Sequence, residues 1–496
     1  MKLSILDLII FIVLTFGSVI FGASFFFKKK TSDQFTSGGG KLPGWIVGMS
    51  LFAAFLSSIS FLGLPGKAYM SNWNAFVFSL SIPIAAILAV KFFVPLYRGL
   101  GSISAYNYLE VRFGAWARIY ASTCYLLTQL MRIGAILLLL ALPLNALFGW
   151  DIKTIIVITG IAVTLYSMFG GIQAVIWIAA VQGIILIAGA IICAIILTFS
   201  MPDGPGQIFE IASASHKFSL GSFGISLKDS TFWVVLIYGL FINLQNYGID
   251  QSYVQRYMTT SSVKEAKSSA LFGFLLYIPV SLVFFYIGTA LFAYYTAQPE
   301  LLPAKLKVAG AADKVFPFFI ANALPKGITG LLIASIFASG MSNVSTSING
   351  TATIILTDYY KRYINKEANE KSSMKILYGA SLIFGATGVI IALSLVGVES
   401  ILDAWWSLAS IFSGGMLGLF LLGYLSKSAR NIDAIIGVIV GALIIIWMSL
   451  SPIYFTEGNL LAFRSPFHSN LTIVFGTLAI TLVGFFLAKL FTKKSI

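Results

Sequence analysis

Long apolar segments recur along the whole chain, and their length limits the possible fold more than any other feature. A membrane-spanning helix needs roughly 20 apolar residues. The sequence predicts an all-α integral membrane protein, embedded in a lipid bilayer, with about 13 transmembrane helices at 4–27, 45–70, 73–97, 119–148, 153–171, 174–201, 231–250, 270–297, 327–358, 375–396, 402–425, 432–451 and 470–490.

Composition agrees with this interpretation, because 58% of the 496 residues are hydrophobic and only 10% are charged. A soluble domain carries about 25% charged residues. The composition therefore excludes a soluble enzyme, a disordered chain and a secreted disulfide scaffold. Cys124 and Cys193 lie in apolar runs away from other metal-ligating residues, so we interpret them as buried free thiols.

The net charge of +14 is distributed unevenly between the predicted loops. If the N-terminus is outside, twenty of the 32 Lys and Arg residues fall in inside segments. Basic residues accumulate in the cytoplasmic loops of membrane proteins. We therefore predict a multi-pass protein of the cell membrane, with its N-terminus outside and its C-terminus cytoplasmic, and no nucleic-acid partner.

No loop carries the spacing of a phosphate-binding loop, since the run Gly38-Gly39-Gly40-Lys41 lacks both the spacing and the final Ser or Thr. ATP-driven transport is thereby excluded, and a secondary transporter, a channel or a membrane enzyme remains. The predicted spans hold no constellation of His, Asp and Glu that favours an enzyme. The sequence also indicates no obligatory protein partner.

Two predicted spans are interrupted by polar residues, glycine and proline. One is the second span, at Ser57-Ser58-Ile59-Ser60 with Gly63, Pro65 and Gly66. The other is the seventh, which contains Asn243, Gln245, Asn246, Gly248 and Asp250. Each opens a successive group of five helices. Paired interruptions of this kind are typical of inverted-repeat transporters, where unwound backbone surrounds a midplane site.

Arg132 lies near the middle of its predicted span and has no carboxylate one turn away on the same helix. A charge at this depth costs roughly 2.5–3.5 kcal/mol on insertion scales. Its guanidinium suits a carboxylate, so we predict that it binds an anionic substrate; the alternatives are a buried structural pair and an anchor on a backbone carbonyl. Asp250 and Asp403 lie near span ends, which favours interface or gating roles.

A cluster of hydroxyl groups occupies the span 327–358. Ser342, Ser345 and Thr346 are three or four residues apart and share one helix face. Hard cations prefer oxygen ligands, so the cluster is compatible with a sodium site. The alternatives are helix packing by small hydroxyl residues and hydrogen bonds from the hydroxyl groups back to their own helix backbone.

At these residues the chain resembles the sodium:solute symporter family. The resemblance runs from about residue 30 to 425 and rests on the segments Gly39–Trp45, Leu56–Phe61, Gly170–Ile172, Val254–Tyr257 and Ser342–Asn349. It implies a leucine-transporter-like five-plus-five inverted repeat with extra helices in one domain, 1–496. Its units would be an extra helix at 4–27, a first repeat at 45–201, a second at 231–425 and C-terminal helices at 432–490.

Within the family the chain is most similar to bacterial sodium/sialic-acid symporters, through Pro65–Tyr69 with Trp73, Ser104–Tyr106 with Tyr108–Glu110, and Arg132. The resemblance implies a sodium site of the backbone carbonyls of Ala53, Leu56 and Ser339 and the side chains of Ser342 and Asn343. It also implies substrate contacts at Ser57, Ser60 and Arg132, with Phe55, Ala75 and Ser79 lining the pocket.

Three positions depart from the pattern of those symporters. Asn343 replaces a serine and keeps an oxygen ligand, and Ser79 replaces a glutamine of the substrate pocket. Ala179 stands where an aspartate would complete a second sodium site with Ser345 and Thr346. We therefore expect a weak or absent second site, and one sodium ion per substrate.

The expected function is sodium-coupled import of an anionic sugar, sialic acid (N-acetylneuraminic acid) in particular, by alternating access. The first alternative is a sodium symporter for another carboxylate, such as an amino acid or short-chain acid. An ion channel is the alternative from another class, and it leaves the paired helix interruptions unexplained.

Overall fold

The computed structural model describes residues 4–24, 31–56, 59–308, 310–398 and 401–492. In these ranges the regular secondary structure is all helical, with no strand beyond one isolated bridge between Leu42 and Thr260. Cys124 and Cys193 carry free thiols, the latter buried and the former partly exposed.

The helices up to Phe199 are α1 (Ile5–Ser24), α2 (Ser32–Ser37), α3 (Gly44–Phe55), α4 (Leu64–Met70), α5 (Val77–Leu80), α6 (Ile82–Leu88), α7 (Val94–Leu100), α8 (Asn107–Phe113), α9 (Ala115–Phe148) and α10 (Ile152–Phe199). Those that follow are α11 (Gly206–Ala214), α12 (Phe232–Ile249), α13 (Gln251–Met258), α14 (Val263–Ala297), α15 (Ala312–Ala323), α16 (Ile328–Ile354), α17 (Glu370–Ser394), α18 (Ile401–Leu425), α19 (Asn431–Tyr454) and α20 (Leu471–Thr492).

Ten helices within the described ranges are long and apolar enough to cross a membrane, and the bent pair Gly44–Phe55 and Ser60–Met70 makes an eleventh span. These coincide with eleven of the predicted spans and confirm the all-α membrane class. The predicted spans 4–27 and 153–171 coincide with shorter apolar segments, Ile5–Thr15 and Ile152–Leu165. The total of 13 therefore stays a prediction.

The first predicted interruption is a break between α3 and α4. Leu56 leaves helical geometry with ψ of 77°, a π-helical turn covers Ile59–Gly63, and the two helices meet at 46°. Ser57, a predicted substrate contact, and Ser58 lie outside the described residues. The carbonyl groups at the end of α3 lose their helical partners here, which leaves them available to a ligand.

The second interruption is narrower than its five polar and glycine positions suggest. Helix α12 runs unbroken to Ile249, and only Asp250, with ψ of 123°, is extended before α13 begins. The Asp250 carboxylate caps α13 by accepting a hydrogen bond from the Ser252 N–H at 2.8 Å. Asn243 lies within α12, and its amide donates to the Ser81 hydroxyl at 3.0 Å.

Helix α16 packs against α9, α10 and α1, and α3 packs against α10 and α14. The first turn of α16 lacks a side-chain cap of its own. Asp7 of α1 supplies one, because its Oδ1 accepts from the N–H groups of Gly327 and Gly330 at 2.7 and 2.8 Å. A carboxylate at a helix N-terminus satisfies free donors and opposes the helix dipole.

Replacing Asp7 with alanine is therefore expected to loosen the first turn of α16. Loss of an N-terminal cap costs about 1 kcal/mol, so amide hydrogen exchange around Gly330 should accelerate by about fivefold to tenfold. Asp229→Ala is the matched control, since Asp229 is exposed and, among the described residues, its carboxylate accepts from the nearby Ser226 hydroxyl and caps no long helix. Unchanged exchange in the Asp7 variant would contradict the capping role.

Candidate functional site

A central cavity is lined by residues from both helix breaks, among them Phe55 and Ser60 from the first and Asp250 from the second. Its lining residues come from six regions of the chain: Phe55, Ser60, Leu64, Ala75, Phe78, Ser79, Thr128, Gln129, Arg132, Tyr238, Ile242, Gln245, Asn246, Asp250, Tyr253, Tyr277, Trp405, Trp406, Ala409 and Ser413.

Arg132 reaches this cavity from the middle of α9 and is 8% exposed. One guanidinium nitrogen, Nη2, donates to the backbone carbonyl of Ala54 at 2.7 Å. Ala54 directly follows Ala53, whose carbonyl is a predicted sodium ligand. The guanidinium is thus anchored to the peptide segment that is expected to hold the ion.

Asp250 faces the same cavity from the second helix break, with its carboxylate within electrostatic range of Arg132. Its Oδ2 accepts from Nε2 of Gln129 at 3.1 Å. Asp250 directly follows the end of its span at Ile249, as the sequence predicts, and the structure also places it in the lining of the cavity. Asp250 is itself the extended residue between α12 and α13. The sequence signal for its place in the cavity was a single acidic residue at a predicted helix break.

The predicted pocket residues Phe55, Ser60, Ala75 and Ser79 all line the cavity together with Arg132. The Ser60 hydroxyl donates to the Phe55 carbonyl at 3.2 Å and accepts from Tyr277 at 3.1 Å. Ser79 shares a 2.7 Å hydrogen bond with Ser281. Among the predicted substrate contacts, Ser57 alone lies outside the described residues.

Aromatic rings form one wall of the cavity. Phe78 stacks on Trp406 at 5.4 Å between ring centroids, and Phe55 meets Tyr277 edge to face at 4.4 Å. Such rings suit the apolar face of a sugar ring, because they offer large area with little conformational freedom to lose.

Polar groups beyond the predicted serines complete the lining, and the sequence analysis did not assign them to the pocket. Gln245 and Asn246 belong to the predicted second interruption, and Gln129 lies one helical turn before Arg132, so both signals were available. The further polar residues are Thr128, Gln129, Gln245, Asn246, Tyr253 and Ser413.

The predicted sodium ligands also come together, at the end of α3 and the middle of α16. The Asn343 amide donates to the carbonyls of Ala53 and Ser339 at 3.4 and 3.1 Å. The Ser339 hydroxyl donates to the Leu56 carbonyl at 3.4 Å. Ser342 lies on the same turn of α16 and is 3% exposed.

This donor set fits a sodium ion. Among the described residues the buried Ser342 Oγ has no hydrogen-bond partner, and such an orphaned oxygen is costly unless a ligand satisfies it. The Asn343 amide directs its nitrogen at the two carbonyls, and a half-turn of the amide would present Oδ1 instead. The site can therefore offer backbone and side-chain oxygens to a cation.

The second predicted site has a different environment. The Thr346 hydroxyl accepts from Nη2 of Arg256 at 2.8 Å, and Arg256 is fully buried. Ala179 is buried as well and contributes no side-chain oxygen. A fixed guanidinium beside Thr346 repels a second cation, while the Ser345 hydroxyl has no partner within the ranges described.

Comparison with known proteins identifies this architecture. The profile of the sodium:solute symporter family matches residues 35–441, most of the chain. The chain belongs to the sodium:solute symporter family. This symporter is 36% identical to the sodium/sialic acid symporter SiaT of Proteus mirabilis, with 86% of each chain covered. It is 30% identical to human sodium-coupled monocarboxylate transporter 1, over 85% of this chain and 69% of the relative.

The solved structure of a Na⁺-coupled sialic acid symporter in a substrate-bound outward-open state aligns with a TM-score of 0.88, 32% identity and 98% coverage of both chains. The expected transporter fold is thereby confirmed. Family membership establishes sodium-coupled symport through a multi-pass membrane protein. The protein is accordingly a transporter, with sodium as its coupling ion and an anionic small molecule as its cargo, and not an enzyme or a channel.

Proposed function

We propose that this symporter imports N-acetylneuraminic acid together with one sodium ion. The observation that carries the proposal is Arg132, a buried guanidinium that lines the cavity. A guanidinium binds a carboxylate through two parallel hydrogen bonds. The similarity of the chain to sodium-coupled sialic acid symporters supports the same cargo.

The distribution of polar groups favours a polyhydroxylated acid over a short-chain acid. A sugar acid needs several hydrogen-bond partners in addition to the carboxylate site, since unpaired buried hydroxyl groups are costly. Ser60, Thr128, Gln245, Asn246 and Ser413 supply such partners around the cavity. A short-chain acid would leave most of them without a partner.

Another monocarboxylate is the second candidate, favoured by one residue. Ser79 is small and shares a 2.7 Å hydrogen bond with Ser281. By resemblance, it stands where the sialic-acid symporters have a glutamine. The similarity to a sodium-coupled monocarboxylate transporter agrees with a pocket that offers the substrate fewer hydrogen-bond partners. Competition for uptake between N-acetylneuraminic acid and lactate separates the two candidates.

We place the protein in the cell membrane, with its N-terminus outside and its C-terminus in the cytoplasm, because basic residues concentrate on the inner side. An ion-pair cluster on that side joins Arg118 to Asp358 at 2.6 Å and both Arg118 and Arg362 to Glu110. Burial raises the pKa of Glu110, hydrogen bonds from the two arginines lower it, and the net pKa is lowered.

Uptake into proteoliposomes tests the proposal directly. With an inward sodium gradient, labelled N-acetylneuraminic acid should accumulate, and replacing sodium with choline should abolish accumulation. Excess lactate should not compete. Sodium-dependent accumulation of lactate without accumulation of N-acetylneuraminic acid would decide for the second candidate.

The proposed stoichiometry predicts a weak response to voltage. One sodium ion and one monoanion carry no net charge, whereas two sodium ions would carry one. Moving one charge is worth about 2.3 kcal/mol per 100 mV, a change in accumulation of about 50-fold. We expect an imposed potential of that size to leave accumulation nearly unchanged. A response approaching 50-fold would rule out one sodium per substrate.

A further inference from the structure

Gln129 connects the substrate cavity with the helix that carries the sodium ligands. It is fully buried on α9 and precedes Arg132 by one helical turn. Its Nε2 donates to Oδ2 of Asp250 at 3.1 Å, and its Oε1 accepts from the Ser347 hydroxyl at 2.7 Å. Both ends of one amide are thus committed to partners on two other elements.

The partners fix which way the amide points. A carboxylate can only accept a hydrogen bond, so it requires the nitrogen end of the amide, and the Ser347 hydroxyl donates to the oxygen end. A half-turn of the Gln129 amide would place its Oε1 against the Asp250 carboxylate, where two acceptors would face each other. The position of Ser347 therefore determines where Gln129 holds Asp250.

Ser347 lies on α16 one helical turn after Asn343, a predicted sodium ligand. The contact between α16 and α9 is close on both sides of this serine. A Cβ atom on Gly340 would lie 2.3 Å from Cδ2 of Leu140, and one on Gly350 would lie 2.2 Å from the Tyr125 hydroxyl. Because packed helices shift as units, a movement of α16 at the sodium ligands reaches Ser347.

Asp250 is the cavity group on which this movement acts. Asp250 is 2% exposed, and its carboxylate caps α13 and lies within electrostatic range of Arg132. If Asp250 turns toward Arg132, it competes with a substrate carboxylate for the guanidinium. If Gln129 holds it in place, the guanidinium stays available to the substrate.

We propose that the hydrogen-bonded chain Ser347–Gln129–Asp250 couples sodium binding to substrate affinity, with Gln129 as the positioning residue. Sodium draws the Ser339–Asn343 segment of α16 toward the end of α3, which fixes Ser347, then Gln129, and holds Asp250 away from Arg132. By linkage, the substrate raises sodium affinity by the same factor. The inference rests on the proposed function and names the residues that couple its two sites.

The test measures the binding of N-acetylneuraminic acid to the purified full-length protein by calorimetry, in sodium and in choline. The readout is the ratio of the two dissociation constants. Substitutions along a coupling network change coupling by factors of about 2 to 30, and we expect Ser347→Ala to reduce the ratio by about threefold to tenfold. Gln129→Met should reduce it equally, and the double variant should reduce it no further.

Ser335→Ala is the matched control. Ser335 is also a buried serine of α16, but its hydroxyl donates only within its own helix, to the Leu331 carbonyl at 2.6 Å. Its variant should keep the wild-type ratio. If Ser347→Ala yields no folded protein, Gln129→Met tests the same chain from the other end.

Affinity that falls equally in sodium and in choline would mean that the chain only supports the structure, and the inference would be wrong. A wild-type ratio in both the Ser347 and the Gln129 variants would overturn it as well. Failure of the wild type to bind N-acetylneuraminic acid more tightly in sodium is a different result, because it would overturn the proposed function itself.

Discussion

Arg132→Gln is expected to lower the affinity for N-acetylneuraminic acid by about 100-fold. Removing one partner of a buried charge pair costs about 2–5 kcal/mol, and 2.7 kcal/mol corresponds to about 100-fold. Glutamine keeps a polar side chain but lacks the positive charge and the bidentate donor geometry of the guanidinium. Calorimetry on the purified protein in saturating sodium measures the change.

Two controls separate the carboxylate role of Arg132 from general damage. The exposed Arg464→Gln should bind the ligand as the wild type does. The methyl ester of N-acetylneuraminic acid should bind the wild type weakly, and the Arg132 variant should bind acid and ester with similar affinity. If Arg132→Gln still prefers the acid strongly, another group recognises the carboxylate.

The fold could be predicted from the sequence where apolar length alone decides, as it does for the eleven spans that the structure confirms. The break after α3 was also predictable, because the cluster around Gly63 and Pro65 disfavours a continuous helix. The second break was predicted too broadly. Asn243 and Gln245 both lie within α12, and the Asn243 amide donates to the hydroxyl of Ser81, 162 positions away, a contact that a single sequence does not record.

The residues of the candidate site were likewise predictable where the local sequence decides and were missed where distant contacts decide. Arg132 was predictable because a charge in an apolar span needs a reason, and the sodium ligands were implied by resemblance along local motifs. Asp250 and Gln129 were missed as cavity residues, since their roles depend on contacts between residues 121 positions apart. The hydrogen bond between Thr346 and Arg256 was not predicted for the same reason, since Arg256 lies on a different helix, α13.

Ser342→Ala is expected to weaken sodium binding by about 30- to 150-fold. The Ser342 hydroxyl is buried and finds no partner among the described residues, so a bound ion is the group that would satisfy it. A polar bond to a charged group contributes about 1.5–3 kcal/mol, and the upper part of that range corresponds to this loss. The sodium concentration that half-saturates substrate uptake measures it.

Ser345→Ala is the matched control, and the pair of variants distinguishes one sodium site from two. Ser345 is equally buried on the same helix and its hydroxyl is also unpartnered within the described ranges. The neighbouring Thr346 is bound to the Arg256 guanidinium, however, and Ala179 adds no carboxylate. With one coupling ion, Ser345→Ala should leave sodium dependence unchanged. If both variants weaken sodium activation to the same extent, a second ion binds beside Arg256, and its charge must be counted in the transport cycle.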